Sequence, residues 1–173
     1  MRTTFRVLML AAAILLAPAS LFASASVASA APSGGNECVL NIETGNYVCA
    51  ATDKEAAGLA RAAAPSATSV TIAILWDNFN FTGHSLRITA SHGCSTSKTS
   101  PEFNFNDLRV PKVGLFGTWN DRLSSFSTVA NCDMKLYTDI FLRGSSTRYL
   151  DSSANLNDSP SGWDDRASSL QFS

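Results

Sequence analysis

Two stretches decide the fold of this chain: Trp119–Ser125, which reads WNDRLSS, and Trp163–Ser169, which reads WDDRASS. In each, a tryptophan precedes a hexapeptide that opens with two Asn or Asp residues and closes with two serines. The second hexapeptide begins 44 residues after the first, which indicates a duplicated module. Each copy gathers carboxylate, hydroxyl and carbonyl oxygens within a short length of chain, and such oxygens suit a hard cation, above all Ca²⁺.

A second repeated pattern precedes each hexapeptide. Trp76–Gly83 reads WDNFNFTG and Tyr137–Gly144 reads YTDIFLRG. Both place an aromatic residue, four residues, a large apolar residue, one residue and then glycine. The glycine can take a positive φ or allow close backbone approach, while the aromatic ring packs over the turn. Each pattern therefore predicts the end of a β-strand and a tight fold-back.

The order of the four patterns is similar to that of the βγ-crystallin family. Greek-key motifs of that family carry an aromatic-x4-Phe-x-Gly signature and, in calcium-binding members, an Asn/Asp-Asn/Asp-x-x-Ser/Thr-Ser signature. The resemblance covers Val70 to Phe172, although Trp76 replaces the usual Tyr or Phe and Leu142 stands where Phe is expected. It implies an all-β fold, an antiparallel β-sandwich of two Greek-key motifs at about 70–130 and 131–173.

The resemblance also implies up to two Ca²⁺ sites, each with ligands from both Greek keys. The implied side-chain ligands are the second acid and the first serine of each hexapeptide: Asp121, Ser124, Asp165 and Ser168. The implied backbone carbonyl ligands are those of Arg122, Arg166, Asp77 and Thr138. Asn120 and Asp164 are expected to shape the loop. A single such turn could serve only to end strands, but the acid and serine are intact in both copies, which favours calcium binding.

The two units differ in spacing. The aromatic residue and the hexapeptide begin 44 residues apart in the first unit and 27 apart in the second. This difference predicts an insertion of about 17 residues within 92–111, a stretch that contains Cys94, Phe103 and Phe105. A tethered loop with aromatic residues is a place where a partner could bind.

Short β-rich runs separated by Gly, Asn, Asp and Ser fill the chain from Val70 onward. No helical period lies between them, which favours an antiparallel sandwich. The predicted strands are Val70–Trp76, Ser85–Thr89, Val113–Phe116, Leu123–Val129, Met134–Thr138, Ser146–Leu150 and Ala167–Phe172.

The first thirty residues have the pattern of a secretory signal peptide. Arg2 and Arg6 precede an apolar run, and small residues end at Ala28–Ala30, which predicts cleavage after Ala30, with Ala23–Ala25 as an alternative. The Ala-rich signal predicts a secreted bacterial protein.

Residues 31–69 then form an N-terminal appendage and linker, in which a capping box at Thr52 predicts a short helix over Lys54–Ala64.

All four cysteines lie in the exported part, where disulfides are the usual state. They allow three pairings. Two short runs around Gly45 predict a hairpin that brings Cys38 opposite Cys49, and this arrangement leaves Cys94 with Cys132. The alternative is a Zn²⁺ site that uses Cys94 with His84 and His92.

Charge and motif content narrow the function classes. Without the signal peptide, 11 Lys and Arg stand against 14 Asp and Glu, and no basic cluster favours nucleic acid or anionic membranes. His84 and His92 lie near no nucleophile motif, so we expect no enzyme activity.

The expected protein is a secreted, monomeric calcium-binding protein. The alternative is a crystallin-fold inhibitor of an extracellular metalloproteinase or a toxin-like antagonist, with the Cys94 loop as its reactive segment, although the Cys-Pro-x-Gly-x-x-Cys opening of such inhibitors is absent.

Overall fold

The structure is a computed structural model that describes residues 37–63, 69–98, 100–113, 117–158 and 162–173. The predicted signal peptide and residues 64–68 of the predicted linker lie outside the described residues. The strands are β1 Glu37–Asn41, β2 Tyr47–Ala50, β3 Val70–Asn78, β4 Thr82–Ala90, β5 Phe103–Phe105, β6 Lys112–Val113, β7 Gly117–Thr118, β8 Ser125–Thr128, β9 Met134–Asp139, β10 Arg143–Ser146, β11 Ser152–Ser153 and β12 Ser169–Phe172. The helices are α1 Asp53–Ala63 and a 3₁₀ turn, Leu156–Asp158.

The two repeated units exchange one strand each. The first sheet has the order β11-β8-β3-β4-β1-β2 and the second has the order β10-β9-β12-β5. Strand β5 comes from the first unit but pairs with β12 in the second sheet, while β11 comes from the second unit and pairs with β8 in the first sheet. This reciprocal crossing is a Greek-key connection. It confirms the predicted antiparallel sandwich of two Greek keys.

A hydrophobic core of described residues lies between the sheets. Leu75 and Phe126 of the first sheet and Leu136 and Leu170 of the second are buried in it, because alternate residues of each strand face inward. Both hexapeptide tryptophans belong to the same core, so they pack the interior. No helix in the described part of the chain is long and apolar enough to cross a membrane.

The N-terminal hairpin continues the first sheet. Strand β1 pairs in parallel with β4, with Glu37 opposite Ser85, and Cys38 forms the predicted disulfide with Cys49 across the hairpin. Gly45 makes the turn with φ of 72°. The segment expected to be an appendage thus extends the sheet beyond β4.

Helix α1 lies against the hairpin and is tied to the first sheet. The Thr52 hydroxyl accepts the backbone N–H of Glu55 at 3.3 Å, as the predicted capping box requires. Arg87 of β4 donates two hydrogen bonds to the Asp53 carboxylate, at 2.9 and 2.6 Å. The helix begins at Asp53, one residue before the predicted start.

Five of the predicted strands are confirmed to within a few residues, as β3, β4, β8, β9 and β12. The prediction of a strand over Ser146–Leu150 is wrong, since β10 ends at Ser146. Most of the predicted strand Val113–Phe116 lies outside the described residues. The exchanged strands β5 and β11 were not predicted, because three and two residues are too few for an alternating pattern to be visible.

The extra residues of the first unit are divided between two places. Leu108 and Leu156 are matching buried positions, since each donates its amide to the carbonyl of the first hexapeptide serine in the other unit. Gly83 precedes Leu108 by 25 residues, whereas Gly144 precedes Leu156 by 12. Thirteen of the 17 extra residues therefore lie between Gly83 and Leu108. The other four follow Leu108 and fall partly outside the range 92–111, in which the whole insertion was predicted.

The insertion does not present its aromatic residues to a partner. Phe103 lies in β5 with 7% of its surface exposed and belongs to the core. Phe105 is half-buried and packs against the same core. Strand exchange places both rings in the second sheet, so a partner site in this insertion stays a prediction that would have to use other residues.

Candidate metal centre

The two fold-backs have the same backbone conformation. Asn80 and Phe81 have φ of 57° and 60°, and the matching Phe141 and Leu142 have φ of 59° and 58°. Left-handed conformations of non-glycine residues are uncommon and persist where the surroundings hold them. The repeated patterns therefore produce one turn twice.

A side chain closes each turn over its glycine. Asp77 Oδ1 accepts the backbone N–H of His84 at 2.7 Å, and Thr138 Oγ1 accepts that of Ser145 at 3.0 Å. A Cβ on the preceding glycine would overlap Asp77 Oδ1 in the first turn and Thr138 Oγ1 in the second. Glycine is therefore needed both for its positive φ and for this close approach.

The last serine of each hexapeptide holds the fold-back of its own unit. Ser125 Oγ donates to the carbonyl of Asn78 at 2.6 Å and accepts the backbone N–H of Phe81 at 3.0 Å. Ser169 makes the two equivalent bonds at 2.6 and 3.0 Å. Both hydroxyls are fully buried, so this serine has a structural role.

The hexapeptides are joined to each other by reciprocal backbone bonds. The Asp121 amide donates to the Ala167 carbonyl at 2.9 Å, and the Asp165 amide donates to the Leu123 carbonyl at 3.2 Å. Together with the strand exchange and the paired fold-backs, this arrangement decides the architecture. The chain has the βγ-crystallin fold.

Comparisons with known proteins find likeness in solved structures alone. The sequence matches no protein-family model and no curated protein. A βγ-crystallin domain from Flavobacterium johnsoniae is similar over 59% of this chain and 93% of its own, with 24% identity and a TM-score of 0.40. The N-terminal domain of protein S is similar over 59% of this chain and 94% of its own, with 15% identity and a TM-score of 0.42. A βγ-crystallin domain from Clostridium beijerinckii is similar over 58% of this chain and 95% of its own, with 14% identity and a TM-score of 0.41.

A first crevice opens between the fold-back of the first unit and the hexapeptide of the second. Its walls are formed by Asp77, Asn78, Phe79, Thr82, Ser124, Asp164 and Asp165. The Ser124 hydroxyl donates to the Asp77 carbonyl at 3.2 Å. The crevice thus gathers a hydroxyl, a main-chain carbonyl and carboxylates from both Greek keys.

The carboxylate of Asp77 is already engaged within the protein. It accepts hydrogen bonds from the His84 amide and from the Arg122 guanidinium, the latter at 3.3 Å, and the His84 Nδ1 lies 2.9 Å from it. Its side chain is only 5% exposed. Protein donors therefore occupy the Asp77 carboxylate, and the metal-ligand role of the Asp77 main-chain carbonyl remains a prediction.

The acid of the first crevice has an altered proton affinity. Burial raises the pKa of Asp165 above its ordinary value, and the nearby Asp164 carboxylate raises it further, while the Arg122 guanidinium lowers it. Crowded carboxylates disfavour one another's charge. A bound cation would relieve that repulsion.

A second crevice opens between the fold-back of the second unit and the hexapeptide of the first, so its position matches that of the first crevice with the units exchanged. Its walls are formed by Arg109, Asn120, Thr138, Asp139, Ile140, Phe141, Arg143 and Ser168. The Ser168 hydroxyl donates to Asp121 Oδ1 at 3.4 Å, and Asn120 Nδ2 donates to Asp121 Oδ2 at 2.6 Å. The serine of one hexapeptide therefore meets the acid of the other.

The donor atoms in the crevices fit Ca²⁺. They are carboxylate, hydroxyl and main-chain oxygens, which hard divalent cations prefer. The described residues contain no group of three or more His, Cys, Asp or Glu side chains that could hold a metal ion. A cation in either crevice would therefore need hydroxyl, main-chain and water oxygens besides its carboxylates.

The predicted arginine carbonyl ligands remain predictions, whereas both arginine side chains have clear roles. Arg122 donates to the carboxylate of Asp77, a residue of the first crevice, at 3.3 Å. Arg166 donates to the Gly162 carbonyl at 2.8 Å and lies over the Trp163 ring, 5.3 Å from its centroid. Each guanidinium thus stabilises the loop around a crevice.

The zinc alternative is wrong, because Cys94 forms a disulfide with Cys132. No thiolate is left for a metal, since every cysteine of the chain is in a disulfide. His84 instead contacts Asp77, and His92 packs its ring against Phe103.

Sequence reasoning missed the place of Asp164. It was expected only to shape its loop, yet it lines the first crevice beside Asp165. The available signal was the difference between Asp164 and Asn120 at the same position of the two hexapeptides.

Proposed function

We propose that this chain is a secreted, non-catalytic calcium-binding βγ-crystallin-like protein in which up to two Ca²⁺ ions stabilise the Greek-key sandwich. The observation that carries the proposal is the contact between the Ser168 hydroxyl and the Asp121 carboxylate at 3.4 Å. It supports the proposal because an acid and a hydroxyl from different units meet beside the second crevice, whose wall Ser168 lines. Ser124 and Asp165 line the other crevice in the same crossed combination.

Calcium would act here as a cross-link between the two Greek keys. In the first crevice the ion would be held by Asp165 of one unit and by the Ser124 hydroxyl and Asp77 carbonyl of the other. Separating the units would remove ligands from both ions, so the folded state binds Ca²⁺ and the unfolded state does not. Free Ca²⁺ at ten times its Kd would then add about 1.4 kcal/mol per site to the free energy of unfolding.

The proposal is tested by titrating purified, chelator-stripped protein with Ca²⁺ in a calorimeter and by thermal melting in the same buffers. Up to two binding sites and a higher melting temperature are expected. A parallel titration with Mg²⁺ is the control, since the smaller ion demands near-ideal octahedral geometry. Absence of both heat and thermal shift with Ca²⁺ would reject the proposal.

Inhibition of an extracellular metalloproteinase is a second candidate, favoured by one observation. The exposed residues Ser95 to Lys98 are held on both sides. The Cys94–Cys132 disulfide fixes one side, the Ser95 amide binds Glu102 Oε1 at 2.6 Å, and Lys98 pairs with Asp133 at 3.2 Å. A braced, exposed segment can enter a protease cleft without a large loss of conformational entropy.

The second candidate is tested with a thermolysin-like protease. Near-stoichiometric protein should slow peptide hydrolysis, and Lys98→Ala should weaken this effect. Indifference of several metalloproteinases to the wild-type chain would count against it.

A further inference from the structure

Asp164 and Asn120 occupy the same first position of the two hexapeptides but have different surroundings. Asn120 Nδ2 donates to Asp121 Oδ2 at 2.6 Å. Asp164 Oδ1 is buried, and within the described ranges it has no hydrogen-bond partner. A buried carboxylate oxygen without a partner carries a desolvation cost. Asp164, which lies on the wall of the first crevice, therefore carries an oxygen whose hydrogen-bonding capacity no described group uses.

The carboxylates of the first crevice also differ in their charged partners. The Asp77 carboxylate is neutralised locally by Arg122 and held by the His84 amide. Asp164 and Asp165 lie side by side on the opposite wall, and the salt bridges of the described residues do not include either of them. Two carboxylates would balance the charge of one divalent cation.

The second crevice has a different charge balance. Arg143 and the acid Asp139 line it together with Arg109, whose guanidinium is paired with Asp107 at 2.7 Å. The oxygens of Asp121 already accept hydrogen bonds from Asn120 and from Ser168. A cation entering there would displace those bonds and would lie near positive charge, which opposes binding.

We propose that the free oxygen of Asp164 is a direct ligand of the cation in the first crevice and that this crevice therefore binds Ca²⁺ more tightly than the second. The inference rests on the proposed calcium-binding function. Ligand charge is one of the properties that set calcium affinity, and Asn120 supplies none at the matching position. The two sites would consequently fill in sequence, with the first crevice occupied before the second.

The test exchanges the two residues. Asp164→Asn gives the first crevice the Asn-Asp pair of the second, and Asn120→Asp is the reciprocal variant. Calorimetry of the purified chain should resolve a tighter and a weaker step. Asp164→Asn should weaken the tighter step about tenfold or more, whereas Asn120→Asp should leave that step within twofold and strengthen the weaker one. Unchanged affinities in Asp164→Asn would overturn the inference.

Melting of the calcium-free variants separates ligation from a structural role. Removing a buried, unpartnered charge should leave the melting temperature of calcium-free Asp164→Asn equal to or above that of the wild type, while its calcium-induced rise becomes smaller. A lower calcium-free melting temperature with unchanged calcium affinity would show that Asp164 only shapes the loop. Wild-type protein that binds no Ca²⁺ would reject the proposed function itself, together with this inference. Normal wild-type binding with normal Asp164→Asn binding would reject the inference alone.

Discussion

Asp121 and Asp165 have nearly the same left-handed backbone, with φ of 53° and 52°, and each donates its amide to the other hexapeptide. The backbones of the two acids are therefore held by bonds between the Greek keys. Their positive φ values persist because the partner hexapeptide accepts the amide. A cation bound to either acid would be sensitive to any movement of one key against the other.

Replacing Asp121 or Asp165 by Ala should each remove one calcium site. Each variant is expected to retain about half of the calcium heat, and the double variant should lose both the heat and the thermal stabilisation, because neither site then keeps more than one carboxylate ligand. Calorimetry and melting curves measure both effects. Glu55→Ala, in helix α1, is the charge-matched control and should bind calcium normally. Retention of full calcium heat in the double variant would move the ligands elsewhere.

Gly83→Ala should destabilise the protein by about 1–3 kcal/mol, since φ is 87° and the new Cβ would overlap Asp77. Chemical denaturation measures the change in free energy of unfolding. Gly58→Ala is the matched control. Gly58 lies in α1 with open space around it, so its replacement should stabilise the helix by about 0.5–1 kcal/mol. Equal effects of the two substitutions would contradict the role assigned to the turn.

Ser125→Ala should cost about 1–3 kcal/mol, because it leaves the Phe81 amide and the Asn78 carbonyl without their shared partner. The measurement is again the free energy of unfolding from denaturant curves. Ser146→Ala, at an exposed position of β10, should change stability by less than about 0.5 kcal/mol. A negligible effect of Ser125→Ala would show that the fold-back is held by other contacts.

Removing the Cys94–Cys132 disulfide with paired Ala substitutions should cost roughly 2–4 kcal/mol, about 1 kcal/mol more than removal of Cys38–Cys49. The chain-entropy model gives this order because the first disulfide separates its cysteines by 38 residues and the second by 11. Denaturant curves of the two double variants test it. The reverse order would mean that native contacts of the N-terminal hairpin outweigh loop length.

Calcium stabilisation should weaken as the pH falls. The pKa of Asp165 is raised above its ordinary 3.8 by burial and by Asp164, so the calcium-free folded state holds this proton more tightly than the unfolded chain. The contribution of Asp165 to calcium-free stability therefore declines as pH rises from 3.8 through the raised pKa. Calcium competes with the proton over the same window, so the calcium-induced rise in melting temperature should grow from pH 4 to pH 7. A rise that is constant over this range would contradict the assignment.

The duplicated architecture could be predicted from the sequence alone, and the hexapeptides also predict a hard cation as the type of ligand. The positions of Gly83, Gly144 and the hexapeptide serines require particular local turns, and local turns depend on residues close together in the chain. The Cys38–Cys49 disulfide followed from the same local reasoning, since a hairpin sets the register of its own strands.

The groups that meet across the sandwich could not be predicted from local patterns. Strand exchange placed Phe103 in the core and moved β5 and β11 between sheets, and it brought Ser168 to Asp121 and Asp164 to the wall beside Ser124. Such contacts join residues at least 25 positions apart, and their geometry depends on the packing of both sheets together. The physical reason is that a short pattern fixes backbone dihedrals, whereas the position of a distant side chain depends on the whole core.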